Sequence, residues 1–366
     1  MKHLINLKKK KSLYLIFFFL LSVFAAFIFL YFERKILGLS STYHPDSAQY
    51  LLGMTFKSYS YLSLDFSLFS NFKNFINLDN LFSGTLYFSI SNLFHELQGL
   101  LYDKFRFNFG HYRSLIKLNI LVYCLTNLLV LNFFIKNNKN HDLKILVGIL
   151  IFCFLPYKLH LAVNILKESL VFFFLTLYLF YSNIYVLIIS FLFGSSLRGL
   201  YSLYYLNFVD FKNFFVKENL FILILILITW FFVITYFVSL DNFINSFSEF
   251  IKERNIADMG GREFDTIPNF ADYGNLAIFL RLILWPIFIL SGIFIFYTDN
   301  FFLYILGLEI IILQITIFYC KKKFLFSIGL LLFLALLALY ANSFTAYFRY
   351  SYLAIQIVFL KILLSK

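Results

Sequence analysis

The residues with the clearest chemical potential are ionisable side chains that lie inside long apolar runs. They are His160, Lys167, Glu168, Arg198, Arg281, Glu309 and Arg349. An ionisable group inside a bilayer costs several kcal/mol, and such groups mark substrate pathways, proton relays and ion pairs. Each of these residues is therefore a candidate site residue.

A stripe of polar residues follows Pro156. His160, Asn164, Lys167 and Glu168 are spaced i, i+4, i+7 and i+8. This spacing predicts one face of a helix whose other faces are apolar, and such a face points into the bundle or a watery cavity. In the functional interpretation, we expect His160 and Lys167 to bind an anionic substrate and Glu168 to accept a proton. The alternative is a helix end whose Lys167 reaches out to the lipid head groups.

Arg198 and Arg349 lie in two different apolar runs. Arg198 has small residues on both sides in the segment 194–199, which allows a helix break or close backbone approach. Its guanidinium offers fixed donors that suit phosphate. Arg349 belongs to a polar helical face that predicts a lined cavity or, alternatively, structural hydrogen bonding between helices. That face consists of Asn342, Thr345, Arg349, Tyr352 and Gln356.

Arg281 and Glu309 each stand inside an apolar run of their own. The favoured interpretation is a structural ion pair between the two. The alternative is that Arg281 joins a site for anions.

His44 and Asp46 stand just after the first apolar run. Pro45 keeps the chain extended before Asp46, and Asp46 with Ser47 can cap a helix that begins at Ala48. In a functional interpretation, the same carboxylate is displayed at the outer membrane surface beside an imidazole. Both interpretations stay open.

The amino-acid composition indicates a membrane protein. The 366 residues are 61% hydrophobic and only 14% charged, whereas soluble chains are about half apolar and a quarter charged. The 31 Lys and Arg against 19 Asp and Glu give a net charge of +12. Because the lysines cluster beside apolar runs, they fit the positive-inside rule, and we expect no nucleic-acid partner.

The chain is predicted to be all-α, a polytopic integral membrane protein with about ten transmembrane helices and one or two re-entrant or interfacial segments. A span needs about 20 apolar residues. We expect a single membrane domain, 1–366, with a cytoplasmic N-terminus, an external region at 38–113 that has room for interfacial helices, and a polar loop at 239–275. The predicted spans are 13–32, 114–135, 143–159, 161–182, 184–206, 219–238, 276–297, 301–319, 324–341 and 346–364, with a weaker candidate at 81–102.

Several motifs that mark nucleotide-binding, metal-binding or hydrolase sites are missing from the sequence. It has no Walker motif, no Rossmann fingerprint, no HExxH and no GxSxG. Cys124, Cys153 and Cys320 stand singly without metal-ligand spacing. We therefore expect no cofactor and no metal site.

The polar groups suit one kind of substrate, a lipid carrier with a diphosphate head. Arginines and a lysine in the membrane can hold the diphosphate through charge-assisted bonds and stabilise it as a leaving group. A carboxylate or an imidazole can then remove the proton of an attacking sugar hydroxyl.

Short motifs along most of the chain carry a resemblance to known proteins. They are HPDSAQY at 44–50, LPYKLHLAVNILKESL at 155–170, the Leu-Arg pair at 197–198, Glu309 before the lysines at 321–323, and NSFTAYFRY at 342–350. This pattern resembles bacterial O-antigen and capsular oligosaccharide repeat-unit polymerases of the inner membrane. Asp46 also looks like the acidic motif of the C-superfamily integral-membrane glycosyltransferases.

The resemblance implies transfer of a glycan from undecaprenyl (polyprenyl) diphosphate to the hydroxyl of another carrier-linked repeat unit, at the periplasmic face. Arg198 and Arg349 would correspond to the functional arginines, and Lys167–Glu168 matches a lysine–acid pair of the family. Asp46 or Glu168 would assist proton removal. The implied partners are the carrier-linked glycan, the bilayer and a chain-length regulator protein. Competing hypotheses are a C-superfamily transferase that uses a polyprenyl-monophosphate sugar and a transporter of lipid-linked sugars.

Overall fold

The computed structural model describes the chain in nine stretches. They are residues 2–39, 111–137, 142–164, 166–197, 201–211, 216–237, 276–296, 301–340 and 344–365. These residues are mainly helical, and there is no strand among them. The chain divides into two compact units, 1–201 and 202–366, and each is described by itself. The expectation of a single membrane domain stays a prediction.

The helices of the first unit pack around α1, α2 and α5. Helix α1 contacts α2 and α4, while α2 contacts α3, α4 and α5, and α5 contacts α6. The other face of α1 presents exposed apolar residues such as Phe17 and Phe24, as a lipid-facing helix requires. The helices are α1 (Lys2–Tyr31), which continues as a π-helical turn (Phe32–Ile36), α2 (His111–Asn137), α3 (Leu143–Cys153), α4 (Pro156–Val163), α5 (Glu168–Phe180) and α6 (Ile184–Leu197).

Local sequence explains where α3 and α4 begin. The Asp142 side chain accepts a hydrogen bond of 2.9 Å from the Lys144 N–H and caps α3. Pro156 occupies the first turn of α4, where its missing N–H costs nothing. The axes of α3 and α4 meet at 42°, so the pair is a broken span or a re-entrant loop.

A second break separates α4 from α5. Helix α4 ends at Val163, and Asn164 has an extended backbone with φ −113° and ψ 163°. Helix α5 begins four residues later at Glu168. Our sequence prediction of one uninterrupted span over 161–182 is therefore wrong at its start, because the chain leaves the helical conformation at Asn164.

The second unit is built on contacts between α8 and α10 and between α9 and α11. Helix α10 also contacts both α11 and a 3-10 turn, Tyr205–Asn207. A side chain at Gly329 would lie 2.1 Å from the Leu206 carbonyl oxygen, so this approach requires glycine. The helices are α7 (Lys217–Phe237), α8 (Leu276–Ser291), α9 (Phe301–Lys321), α10 (Ile328–Tyr340) and α11 (Phe344–Leu364).

Among the described residues, four helices are long and apolar enough to cross a membrane, or five if the bent pair α3–α4 is one span. The four are Ser12–Ile36, Leu115–Asn137, Phe301–Lys321 and Tyr347–Leu364. This finding supports the prediction of a membrane protein. Each predicted apolar run contains helix, but the count of ten spans is not confirmed, because several of these helices are only 10–17 residues long.

Several predictions fall on other parts of the chain. The candidate span 81–102 and the polar loop 239–275 lie outside the described residues. So does the external region 38–113, apart from Gly38, Leu39 and the first residues of α2.

Candidate functional site

The break between α4 and α5 is surrounded by buried polar side chains. Glu33, in the π-helical turn after α1, is fully buried and places Oε1 2.5 Å from Nδ1 of His160 on α4. Its Oε2 accepts a hydrogen bond of 2.9 Å from Nδ2 of Asn164. The same Nδ2 lies 2.8 Å from the His160 carbonyl oxygen, to which it also donates. The Glu33 carboxylate thus links the turn after α1 to His160 within α4 and to Asn164, the residue that follows α4.

Arg34 extends this cluster toward the surface. Its Nη2 donates to Oδ1 of Asn164 at 2.9 Å and to the Val163 carbonyl at 3.3 Å, and its Nη1 donates to the Leu39 carbonyl at 3.4 Å. Nη1 also lies 3.6 Å from Oε2 of Glu33, and the Arg34 side chain is 16% exposed. The guanidinium therefore balances the buried carboxylate and supplies donors at the end of α4.

Asn119 supports the break from α2. Its Nδ2 donates to the carbonyl of Asn164 at 2.6 Å and to that of Leu166 at 3.0 Å. The last carbonyls of a helix have no partner within the helix, and in a bilayer no water is at hand to provide one. Arg34 and Asn119 provide donors for carbonyls on each side of the break.

Lys167 and Glu168 come directly after the break. Lys167 precedes α5 and is 9% exposed, while Glu168 is the first residue of α5 and is fully buried. A carboxylate in the first turn of a helix is stabilised by the helix dipole. The predicted stripe is therefore not one helical face: His160 and Asn164 belong to the end of α4, and Lys167 and Glu168 to the start of α5. All four side chains are nevertheless buried, and they lie within nine residues of one another along the chain.

A second polar layer lies deeper along α1 and α2. The ammonium of Lys158 donates to Oδ1 of Asn127 at 2.8 Å and lies 3.9 Å from the centre of the Phe152 ring. Nδ2 of Asn127 reaches Oγ of Ser22 at 3.3 Å, and the Tyr123 hydroxyl donates to the Cys153 carbonyl at 2.6 Å. Ring faces and an amide oxygen thus compensate for the burial of this lysine.

The predicted site residues of the second unit lie on unbroken stretches of helix. Arg281 is 3% exposed, and its guanidinium carbon lies 4.4 Å from the centre of the Trp285 ring, one turn along α8. Glu309 on α9 is 1% exposed and accepts a hydrogen bond from the Tyr352 hydroxyl on α11. The predicted pairing of Arg281 with Glu309 stays a prediction.

The polar face predicted on the last helix is partly buried. Tyr352 and Gln356 are fully buried, and Arg349 is half-buried with Nη2 3.4 Å from the Tyr350 hydroxyl. The bond from Tyr352 to Glu309 is of the helix-to-helix kind. Asn342 lies outside the described residues.

Three predicted site residues are not placed by the structure. His44, Asp46 and Arg198 lie outside the described residues, so their predicted roles stay predictions. The described residues contain no group of three or more His, Cys, Asp and Glu that could hold a metal ion.

Sequence reasoning missed Glu33, Arg34 and Asn119. Glu33 and Arg34 follow the first apolar run and read as its polar boundary, so nothing in their position indicates burial. The signal for α2 was present: Asn119, Tyr123 and Asn127 are spaced i, i+4 and i+8 in an apolar run, which marks one polar face. That face is the one that contacts α4 and the break.

Comparison with protein-family models, with curated proteins and with solved structures finds no match to this chain.

Proposed function

We propose that this protein is a membrane glycosyltransferase of the polymerase type, which joins polyprenyl-diphosphate-linked oligosaccharide repeat units in O-antigen or capsule synthesis. The glycan passes to a sugar hydroxyl of a second carrier-linked unit at the periplasmic membrane face. The diphosphate stays on its lipid carrier as the leaving group.

The observation that carries the proposal is the helix break before Lys167 and Glu168. Irregular backbone at membrane depth is tolerated only where protein or a water-filled cavity surrounds it. Here Glu33, Arg34 and Asn119 form hydrogen bonds with residues of that break. Three buried or partly buried polar side chains therefore hold it. A rigidly held break with a lysine and a carboxylate at its end suits an anionic substrate and a proton transfer.

The predicted residues divide between substrate binding and proton transfer. Lys167 binds the diphosphate, with Arg198 as a further ligand and His160 as a neighbour of the same substrate, and the anion-binding roles of Arg281 and Arg349 stay predictions from the sequence. Such charge-assisted bonds to phosphate are short and strong, and they stabilise the charge that grows on the leaving group. Glu168, or Asp46 with His44 beside it, takes the proton of the attacking hydroxyl.

A reconstituted reaction tests the proposal. The purified protein in lipid nanodiscs receives carrier-linked repeat units as its only glycan, and the products are separated by size. We expect chains of two or more repeats from the native protein. We expect almost none from Lys167→Ala, and a normal ladder from Lys323→Ala, whose lysine is exposed after α9.

The cellular counterpart uses Arg349→Ala. We expect this variant to insert in the membrane but to leave only single-repeat lipopolysaccharide on a gel, because a diphosphate ligand is lost. A normal ladder would remove Arg349 from the site.

The competing functions give different products in the same reaction. A C-superfamily transferase adds one sugar from a polyprenyl-monophosphate donor and leaves chain length unchanged. A transporter forms no glycosidic bond but moves the carrier-linked glycan across the vesicle membrane. Either result would replace the polymerase proposal.

A further inference from the structure

The buried carboxylate of Glu33 stands at the centre of the cluster, yet it belongs to the first helix rather than to the break. It is the first acidic residue after a long apolar run, where a charged side chain would ordinarily turn to the head groups. Instead it is 0% exposed and touches His160 and Asn164, which lie 127 and 131 residues further along the chain.

The Glu33 carboxylate lies among polar side chains. Nδ2 of Asn164 can only donate, so Oε2 of Glu33 is an acceptor, and Nη1 of Arg34 lies 3.6 Å from the same oxygen. Oε1 lies 2.5 Å from Nδ1 of His160, within hydrogen-bond distance. One carboxylate thus contacts the imidazole and the Asn164 amide at the same time.

We infer that Glu33 is a positioning residue of the proposed site: it acts through His160 and Asn164 on the break that places Lys167 and Glu168. His160 fixes the last turn of α4, and Asn164 fixes the residue at which the helix ends. Lys167 follows Asn164 by three residues, so a change in the Asn164 backbone moves the start of α5. The inference rests on the proposed function for its effect on catalysis, but not for its effect on geometry.

A purely structural role is the alternative. In that case Glu33 contributes only to stability, and replacing the whole polar pair by apolar residues of similar volume is harmless. Buried ion pairs often behave in this way. The two roles separate when stability and the position of Lys167 are measured together.

The geometric test uses thiol labelling. Lys167→Cys is introduced into a chain whose three native cysteines are replaced by alanine, and its reaction with a water-soluble maleimide is followed in nanodiscs. We expect slow labelling, since Lys167 is 9% exposed. With Glu33→Gln added, we expect labelling about tenfold faster, because an NH2 group that cannot accept replaces one of the two carboxylate oxygens and the contact of that oxygen is lost. Lys35→Gln, at an exposed neighbour of Glu33, is the control.

The catalytic test uses Glu33→Leu with His160→Leu, which removes both members of the pair. If the pair positions the site, this double variant unfolds at nearly the native temperature but loses about 100-fold in kcat/KM for carrier-linked repeats, mainly in kcat, as a displacement of about 1 Å would cause. A loss confined to KM would mean that only a substrate contact of His160 was removed, and it would overturn the inference. Native kcat/KM in a stable double variant overturns the inference.

The labelling result decides the matter if the double variant does not fold. Unchanged labelling at position 167 in Glu33→Gln overturns the inference whatever the reaction shows. Faster labelling in Glu33→Gln supports it even if the native protein makes no longer chains, a result that would overturn the proposed function alone.

Discussion

Glu33 in the first unit and Glu309 in the second are both buried carboxylates, and the two are held in different ways. Glu33 in the first unit lies at a helix break and contacts an imidazole, an amide and a guanidinium. Glu309 in the second unit lies in the middle of α9 and accepts a hydrogen bond from Tyr352 on α11. The first is part of a network that also supplies donors to backbone carbonyls, whereas the second joins two helices whose own backbone bonds are intact.

The loss of a buried polar side chain is expected to destabilise the protein more at a helix break than in a continuous helix. In an unbroken helix the backbone satisfies itself, so a side-chain pair adds its own energy and little more. At the break, the carbonyls of Val163, Asn164 and Leu166 accept bonds from Arg34 and Asn119. Loss of one of those side chains should therefore destabilise backbone as well as side chain.

The largest expected effect comes from Arg34→Leu. It removes the bonds to Val163 and Asn164 and leaves the Glu33 carboxylate without its nearest guanidinium. We expect a loss of about 3–5 kcal/mol in the free energy of unfolding, as for other broken buried pairs. Arg349→Leu, at a half-buried arginine on the continuous helix α11, should cost less. Equal losses, measured by denaturant unfolding in detergent micelles, would erase the distinction between the units.

Asn119→Leu is expected to rank second. The carbonyls of Asn164 and Leu166 both lose the Asn119 donor, although the Asn164 carbonyl keeps its bond from the Leu166 N–H, so we expect a loss of about 1–3 kcal/mol. The control on the same helix is Thr126→Val, because the Thr126 hydroxyl bonds only the Val122 carbonyl of its own turn. A similar loss in both variants would mean that the break does not depend on Asn119.

Tyr352→Phe is expected to have the smallest effect of the three. The variant removes one hydroxyl from a buried carboxylate between two continuous helices, and we expect a loss of about 1–2 kcal/mol. Glu309→Gln keeps an acceptor for that hydroxyl and should lose less than Tyr352→Phe. Thermal unfolding of both variants checks the order, and a greater loss in Glu309→Gln would show that the negative charge itself matters there.

The sequence was sufficient to predict helices and their approximate places. Apolar runs such as 114–135 and 346–364 became helices because a backbone in lipid must satisfy its own hydrogen bonds. The span count was harder to predict, since run length does not reveal where a run bends. The bend at Pro156 shortened one run, and the extended conformation of Asn164 shortened the next.

Only part of the candidate site could be predicted from the sequence. His160, Asn164, Lys167 and Glu168 could be selected because polar residues are rare in an apolar run. Glu33 and Asn119 could not be assigned to the same site, because they are separated from it along the chain by 127 and 45 residues respectively. Their contribution depends on how α1 and α2 pack against α4.

Hydropathy and residue spacing are sufficient to predict apolar helices with a few polar residues inside them, because both act locally along the chain. Which polar residues contact one another depends on how the helices pack. Packing of α1 and α2 against α4 brought Glu33, Arg34 and Asn119 to the break after Val163. The physical reason is that a broken helix cannot satisfy its own carbonyls, and the donors it needs come from other helices.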